Sequence, residues 1–253
     1  MTESPDPARV GLHAAATTCL FDLDGVITKT AVVHSAAWKE MFDDFLSSRD
    51  GLSADQARPF DPRNDYDRYV DGKPRYDGVR SFLASRSISI PEGDPGDSPE
   101  VETICGLGNR KNTLVGELIR RDGVEAYEGT VKYLDAVRDA QMRIAVVSSS
   151  ANCRAILESC NLLNYFEEVM DGIVAAERGI AGKPAPDTFL AAAAALGATP
   201  EQAVVYEDAL AGVQAGRDGT FGLVIGVDRV GQRADLIEHG ADIVVDDLEE
   251  LIK

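Results

Sequence analysis

Few residues in this chain have types and spacing that could do chemistry, and they fall in four short stretches. In "FDLDGVITKTAVVHSAAW" an apolar run passes into Asp22 and Asp24, one residue apart, and then into Gly25 and the start of a helix. Ser148, Ser149 and Ser150 form a row of hydroxyls with Asn152 just after it; Lys183 lies in "AGKPAPD"; Glu207 and Asp208 close "AVVYED". Four carboxylates crowded together would repel one another unless a cation sat among them. Oxygen donors of this kind suit a hard, octahedral ion, and Mg²⁺ shares its shell with waters and phosphate oxygens. A lysine and serine hydroxyls nearby would hold the rest of a phosphate, so the chemistry indicated is phosphoryl transfer.

Each signal alone is commonplace. An Asp-x-Asp after a strand is often a turn or helix cap, Lys183 could be an exposed loop lysine, and the serines could cap a helix at Asn152. The elements that carry them decide otherwise. From Met142 onward the chain alternates "RIAVVSSS", a helix from Asn152, "GIVAA", a helix from Pro186, "AVVYED", another helix, "FGLVIGV" and "DIVVDD". Short, doubly apolar strands separated by helices predict a doubly wound α/β fold with a parallel sheet. Ligands of such sheets bind beyond the carboxyl ends of the strands. All four groups follow strand ends, so all four are expected on one edge of the sheet.

Between Ala31 and Glu125 the strand signal gives way to charged, helix-like segments such as "AAWKEMFDDFL" and "PEVETICGLGNRKNTLVGELIRR". The expected organisation is a loose tail over 1–16, an α/β core over 17–30 and 126–253, and an inserted helical domain over 31–125 with a mobile loop near 91–98. "TPEQ" at 199–202 offers a Thr N-cap, a Pro at the first helical position and a Gln three residues after the cap. "GIAGKP" lacks the spacing of a P-loop.

With 253 residues the chain can build one large or two modest domains. A formal charge of −18 repels phosphate backbones and anionic lipid, which argues against nucleic acid and membrane partners. Cys19, Cys105, Cys153 and Cys160 show no metal-ligand or disulfide spacing. They are expected to be reduced thiols in a cytoplasmic protein.

"FDLDGVIT", "VVSSS", "GKPAPDTF" and "VVYEDALAGVQAG" resemble, in order, the four motifs of the haloacid-dehalogenase-like (HAD) phosphotransferases. "DLDGVITKTAVVHSAAW", with "SSSAN" and "GKPAPD", is similar more narrowly to the β-phosphoglucomutase branch. The resemblance implies a HAD-like, Rossmann-like core with a helical cap. It also implies interconversion of β-D-glucose 1-phosphate and glucose 6-phosphate through an aspartyl phosphate, primed by a sugar bisphosphate. Asp22 would be the nucleophile and Asp24 the general acid/base. One Mg²⁺ per site would be held by Asp22, the backbone carbonyl of Asp24, Glu207 and Asp208. Ser148 and Lys183 would bind the transferring phosphoryl group, with Ser149, Ser150 and Asn152 nearby.

In the cap, the resemblance implies that Gly72, Lys73 and Arg75 meet the substrate, Arg75 gripping the distal phosphate, while Lys111 and Asn112 face the sugar. Thr30 and His34 would sit at the hinge. Four residues apart, they share a helix face, and Trp38 continues it as core packing. The sequence departs from the branch at Asp71, where a lysine is expected, at Gly78 and Ala151, and in a longer cap. The expected partner is a small phosphosugar and the expected state a monomer, with a dimer the alternative. The competing readings are a hydrolytic sugar-phosphate phosphatase and a catalytically silent binding module.

Overall fold

The computed structural model describes residues 5–253. It divides into two compact units, Met1–Lys29 with Val124–Lys253, and Thr30–Gly123.

The first unit is built on six strands: β1 (Thr18–Phe21), β2 (Arg143–Val147), β3 (Glu168–Met170), β4 (Ala203–Glu207), β5 (Leu223–Val227) and β6 (Ile243–Val245). Every pair is parallel, in the order β3-β2-β1-β4-β5-β6. β1 and β4 are buried at every position, as strands covered on both faces must be.

The second unit, Thr30–Gly123, carries α1 (Ala31–Ser47), a π-helical turn at Tyr66–Val70, α2 (Arg75–Ser85) and α3 (Ile104–Asp122). Its core gathers Trp38, Phe42, Phe45, Phe60, Phe82 and Leu107. The Phe42 and Phe82 rings are 4.0 Å apart and those of Trp38 and Phe42 5.3 Å. Thr103 starts α3 by accepting the Gly106 N–H at 2.9 Å. The stretch 91–98, expected to be mobile, is instead tied down. Asn109 Nδ2 donates to the carbonyls of Pro95 (3.0 Å) and Asp97 (2.9 Å), and Thr103 Oγ1 donates to the Asp97 carboxylate at 2.6 Å.

The sheet is sandwiched by α4 (Glu128–Asp139), α5 (Cys153–Ser159), α6 (Gly172–Arg178), α7 (Asp187–Ala195), α8 (Leu210–Asp218) and α9 (Arg233–His239). Alternate strand residues supply the two faces. Leu20, Ala145, Val147, Val205 and Val224 pack with Phe189, Val213 and Leu236. On the other face Phe21 stacks on Tyr206 at 4.2 Å, with Tyr133 of α4 edge-on to both.

Two expectations for this unit need correcting. "GIVAA" is the body of α6, and the strand is the preceding "EVM". Asp171 turns the chain at that point, its carboxylate accepting the N–H groups of Ile173 and Val174. The expected tail is packed from Pro7 onward, with Val10, Leu12 and Ala16 buried. Tyr133 Oη donates to Val10 O at 3.0 Å, and the Asp6 N–H to Ala140 O at 2.9 Å. The tail's first four residues lie outside the described ones. "TPEQ" forms its capping box on a single 3₁₀ turn, Pro200–Gln202, because β4 begins at Ala203.

No helix among the described residues is long and apolar enough to cross a membrane. Cys19, Cys105, Cys153 and Cys160 are free thiols.

Candidate active site

Parallel strands bring their carboxyl ends to one edge, and the edge here is acidic. The Asp22 N–H continues the β1–β4 ladder by donating to Tyr206 O at 2.9 Å, which fixes Asp22 beside the end of β4, where Glu207 and Asp208 stand. On the other side the Ser148 N–H donates to Met170 O at 2.9 Å. Asp22, Glu207 and Asp208 are all buried, and each offers a carboxylate oxygen within 4.8 Å of the others.

Lys183, in the loop between α6 and α7 and 2% exposed, joins these ends. Its ammonium donates to Asp22 Oδ1 at 2.5 Å, Glu207 Oε1 at 2.5 Å and Val147 O at 3.0 Å, which uses all three of its protons. The second oxygen of Glu207 accepts the Ala209 N–H at 3.0 Å, so Glu207 serves first as the anchor of Lys183.

Burial pushes Asp22 up to about 6, helped by the charge of Asp24 and opposed by Lys183. Burial likewise pushes Glu207 up to about 7 against the pull of Lys183. For Lys183 burial works against the charge, but the two carboxylates outweigh it and hold the ammonium above its usual range. Three buried carboxylates against one ammonium leave an excess of negative charge in a dry setting. An oxygen-only donor set with that excess fits a hard divalent cation.

The backbone is shaped to the cluster. Gly25, at φ +89°, belongs to the turn after Asp24, and a Cβ there would lie 1.7 Å from Asp208 Oδ2. The Asp208 carboxylate thus occupies the space a side chain would fill. Half-buried Asp24 follows Asp22 by two positions. Ser148 Oγ accepts from Ser150 N at 3.0 Å and Ser150 Oγ from Asn152 N at 3.1 Å. These contacts wind Ser148, Ser149 and Ser150 into a tight turn before α5 and leave the Ser148 and Ser150 hydroxyl protons available to an anion.

The remaining sequence candidates belong to the second unit. Lys111 Nζ lies 2.8 Å from His34 Nδ1 and 4.7 Å from the centre of the Trp38 ring. Thr30 is buried at the N-cap of α1, and Asn112 follows Lys111 on α3. Gly72 has φ +70°. Lys73 Nζ donates to Ser81 Oγ at 3.1 Å and Arg68 O at 3.3 Å. Arg75 is folded onto Tyr76, its Nη2 donating to Tyr76 Oη (2.9 Å) and Asn109 Oδ1 (3.3 Å).

Sequence reasoning missed Gly25 as a seat for Asp208, and it missed Arg229 and Gln232. Arg229 Nε donates to Gly25 O at 3.1 Å and Gln232 Nε2 to Asp208 O at 2.9 Å. The available signal was their position just past β5, at the edge already singled out.

A family model for haloacid dehalogenase-like hydrolases matches residues 16–220. The chain is 52% identical over 246 residues to a β-phosphoglucomutase of Mycobacterium tuberculosis (strain CDC 1551 / Oshkosh), covering 96% of this chain and 94% of the relative. It is 29% identical over 234 residues to the β-phosphoglucomutase of Bacillus subtilis (strain 168), covering 91% and 93%. Among solved structures, β-phosphoglucomutase from Clostridium difficile shares the fold with a TM-score of 0.73 at 24% identity, over 93% of each chain. The matched span takes in every residue of the acidic cluster, and the chain belongs to the haloacid dehalogenase-like hydrolase family.

Proposed function

We propose that this chain is a Mg²⁺-dependent phosphomutase that interconverts β-D-glucose 1-phosphate and glucose 6-phosphate. The observation that carries the reading is its identity with the mycobacterial β-phosphoglucomutase across nearly the whole of both chains. Asp22, Lys183, Glu207 and Asp208 stand together at the carboxyl edge of the sheet, which supports the same reading.

In this reading phospho-Asp22 donates to the 6-hydroxyl of β-glucose 1-phosphate. The hydroxyl oxygen bonds to phosphorus as the bond to Asp22 breaks, and its proton passes to Asp24. The resulting bisphosphate turns over, and the Asp22 carboxylate attacks the phosphorus on C1. The bond from that phosphorus to the sugar oxygen breaks, Asp24 returns its proton to that oxygen, and glucose 6-phosphate leaves. Lys183 and Ser148 hold the transferring group, with Ser149, Ser150 and Asn152 around it. Mg²⁺, held by Asp22, the carbonyl of Asp24, Glu207 and Asp208, would neutralise the phosphate so that a carboxylate can approach it.

In the second unit Arg75, with Gly72 and Lys73, is the candidate for the far phosphate, and Lys111 and Asn112 for the sugar. Thr30 and His34 begin the first helix of that unit and are the candidates for coupling its motion to the placing of Asp24. The partner is a small phosphosugar, not a nucleic acid or a membrane, and the protein acts in the cytoplasm as a monomer. Hydrolysis is the lesser reading, since the relative at 52% identity is a β-phosphoglucomutase, whereas the fructose-1-phosphate phosphatase of Escherichia coli (strain K12) is 30% identical.

Phosphorus NMR with Mg²⁺, a trace of glucose 1,6-bisphosphate and each anomer of glucose 1-phosphate tests the proposal. The expected result is conversion of the β anomer to glucose 6-phosphate. Steady release of inorganic phosphate without glucose 6-phosphate would overturn it.

A further inference from the structure

The loop leaving β5 reaches back to both halves of the acidic cluster. Asp228 organises it, Oδ1 accepting the N–H groups of Val230 (3.3 Å), Gly231 (2.7 Å) and Gln232 (2.8 Å), and Oδ2 that of Arg233 (3.1 Å). Two side chains then extend from a fixed backbone. Arg229 Nε donates to the carbonyl of Gly25 at 3.1 Å. Its Nη1 donates to Asp246 O (2.7 Å) and Asp247 Oδ2 (2.9 Å), and its guanidinium lies 3.7 Å from the centre of the Tyr127 ring. Gln232, 9% exposed, donates from Nε2 to the carbonyl of Asp208 at 2.9 Å.

Gly25 and Asp208 press against each other at the cluster, and each backbone is held by a side chain of this one loop. That arrangement has an electrostatic purpose. Carboxylates held within 4.8 Å of one another repel, and without restraint the Asp208 segment would relax away from Asp22. An ion would then have to draw it back, and its affinity would fall by that cost. A backbone held in advance removes it.

We propose that Asp228, Arg229 and Gln232 form a positioning clamp that sets the spacing between the Asp22–Gly25 turn and Asp208, and thereby the affinity for the divalent ion. The clamp rests on the reading of Asp22 and Asp208 as holders of Mg²⁺. Contacts of this outer kind commonly change metal affinity 10- to 100-fold.

Calorimetric titration of Mg²⁺ into the full-length, EDTA-treated protein is the test, together with the thermal midpoint in EDTA. In Gln232→Leu the Kd for Mg²⁺ is expected to rise roughly tenfold or more, while the metal-free midpoint moves by less than about 4 °C. Should Gln232→Leu fail to fold, Gln232→Asn keeps the amide but falls one methylene short, and the same rise is expected. Arg229→Lys, which keeps a donor for the Gly25 carbonyl, is expected between wild type and Arg229→Ala. An unchanged Kd in the folded Gln232 variant, or a lowered midpoint with an unchanged Kd, would overturn the clamp alone. Wild type that binds no Mg²⁺, or Asp208→Asn that binds it as wild type does, would overturn the metal site and the clamp with it.

Discussion

Lys111 of α3 donates an ammonium proton to His34 Nδ1 of α1 across 2.8 Å, so the imidazole carries its own proton on Nε2 and is neutral. Burial, and after it the Lys111 charge, hold its pKa well below 6.5. The unfolded chain therefore binds a proton near pH 6.5 that the folded chain refuses. Stability from this group is full above that pH and falls progressively as the pH drops below it. Thermal midpoints between pH 8 and 5.5 should fall more steeply in wild type than in His34→Gln. Parallel curves would contradict the assignment.

Lys183→Met removes the ammonium that joins two buried carboxylates, Asp22 and Glu207. Breaking a buried pair from one side costs about 3–5 kcal/mol. Urea unfolding in EDTA should show a loss of that order, and Mg²⁺ should recover part of it by supplying charge to the same oxygens. A stability equal to wild type in EDTA would mean that the carboxylates are protonated when Lys183 is absent.

Gly25→Ala adds a methyl 1.7 Å from Asp208 Oδ2 at a backbone angle of φ +89°. The left-handed conformation alone costs about 1–2 kcal/mol, and the carboxylate must also move. The expected outcome in a Mg²⁺ titration is weaker binding, with mutase activity lost in proportion at low Mg²⁺ and partly regained at high Mg²⁺. Binding equal to wild type would contradict the seat assigned to Asp208.

Asp24→Asn keeps the size of the side chain and removes the carboxylate proposed to carry the proton. Turnover should fall roughly 10²- to 10⁴-fold, while phosphorylation of Asp22 by a donor with a good leaving group persists. Full activity would assign the acid/base role elsewhere.

Much of this site was legible because a parallel sheet gathers its strand ends. "FDLD", "SSS" and "ED" needed only their strands to be recognised, and Lys183 only a loop at the same edge. "GIVAA" misled because a short apolar run reads alike as strand or helix, and the three-residue β3 is too brief to announce itself. The tail and the 91–98 loop were misjudged for one reason: composition reports polarity, whereas order came from partners outside each stretch, Tyr133 for the tail and Asn109 for the loop. Arg229 lies 204 positions from the Gly25 carbonyl it holds, a separation no local pattern spans.

Asp22 is proposed to accept the phosphoryl group while Lys183 and the acidic cluster frame it. Acid-quenched protein, mixed with Mg²⁺ and glucose 1,6-bisphosphate and then digested for mass spectrometry, reads this directly. One phosphoryl group is expected on the peptide containing Asp22, labile to base and absent in Asp22→Asn. Phosphate on another residue, or an Asp22→Asn protein that still interconverts the sugar phosphates, would contradict it.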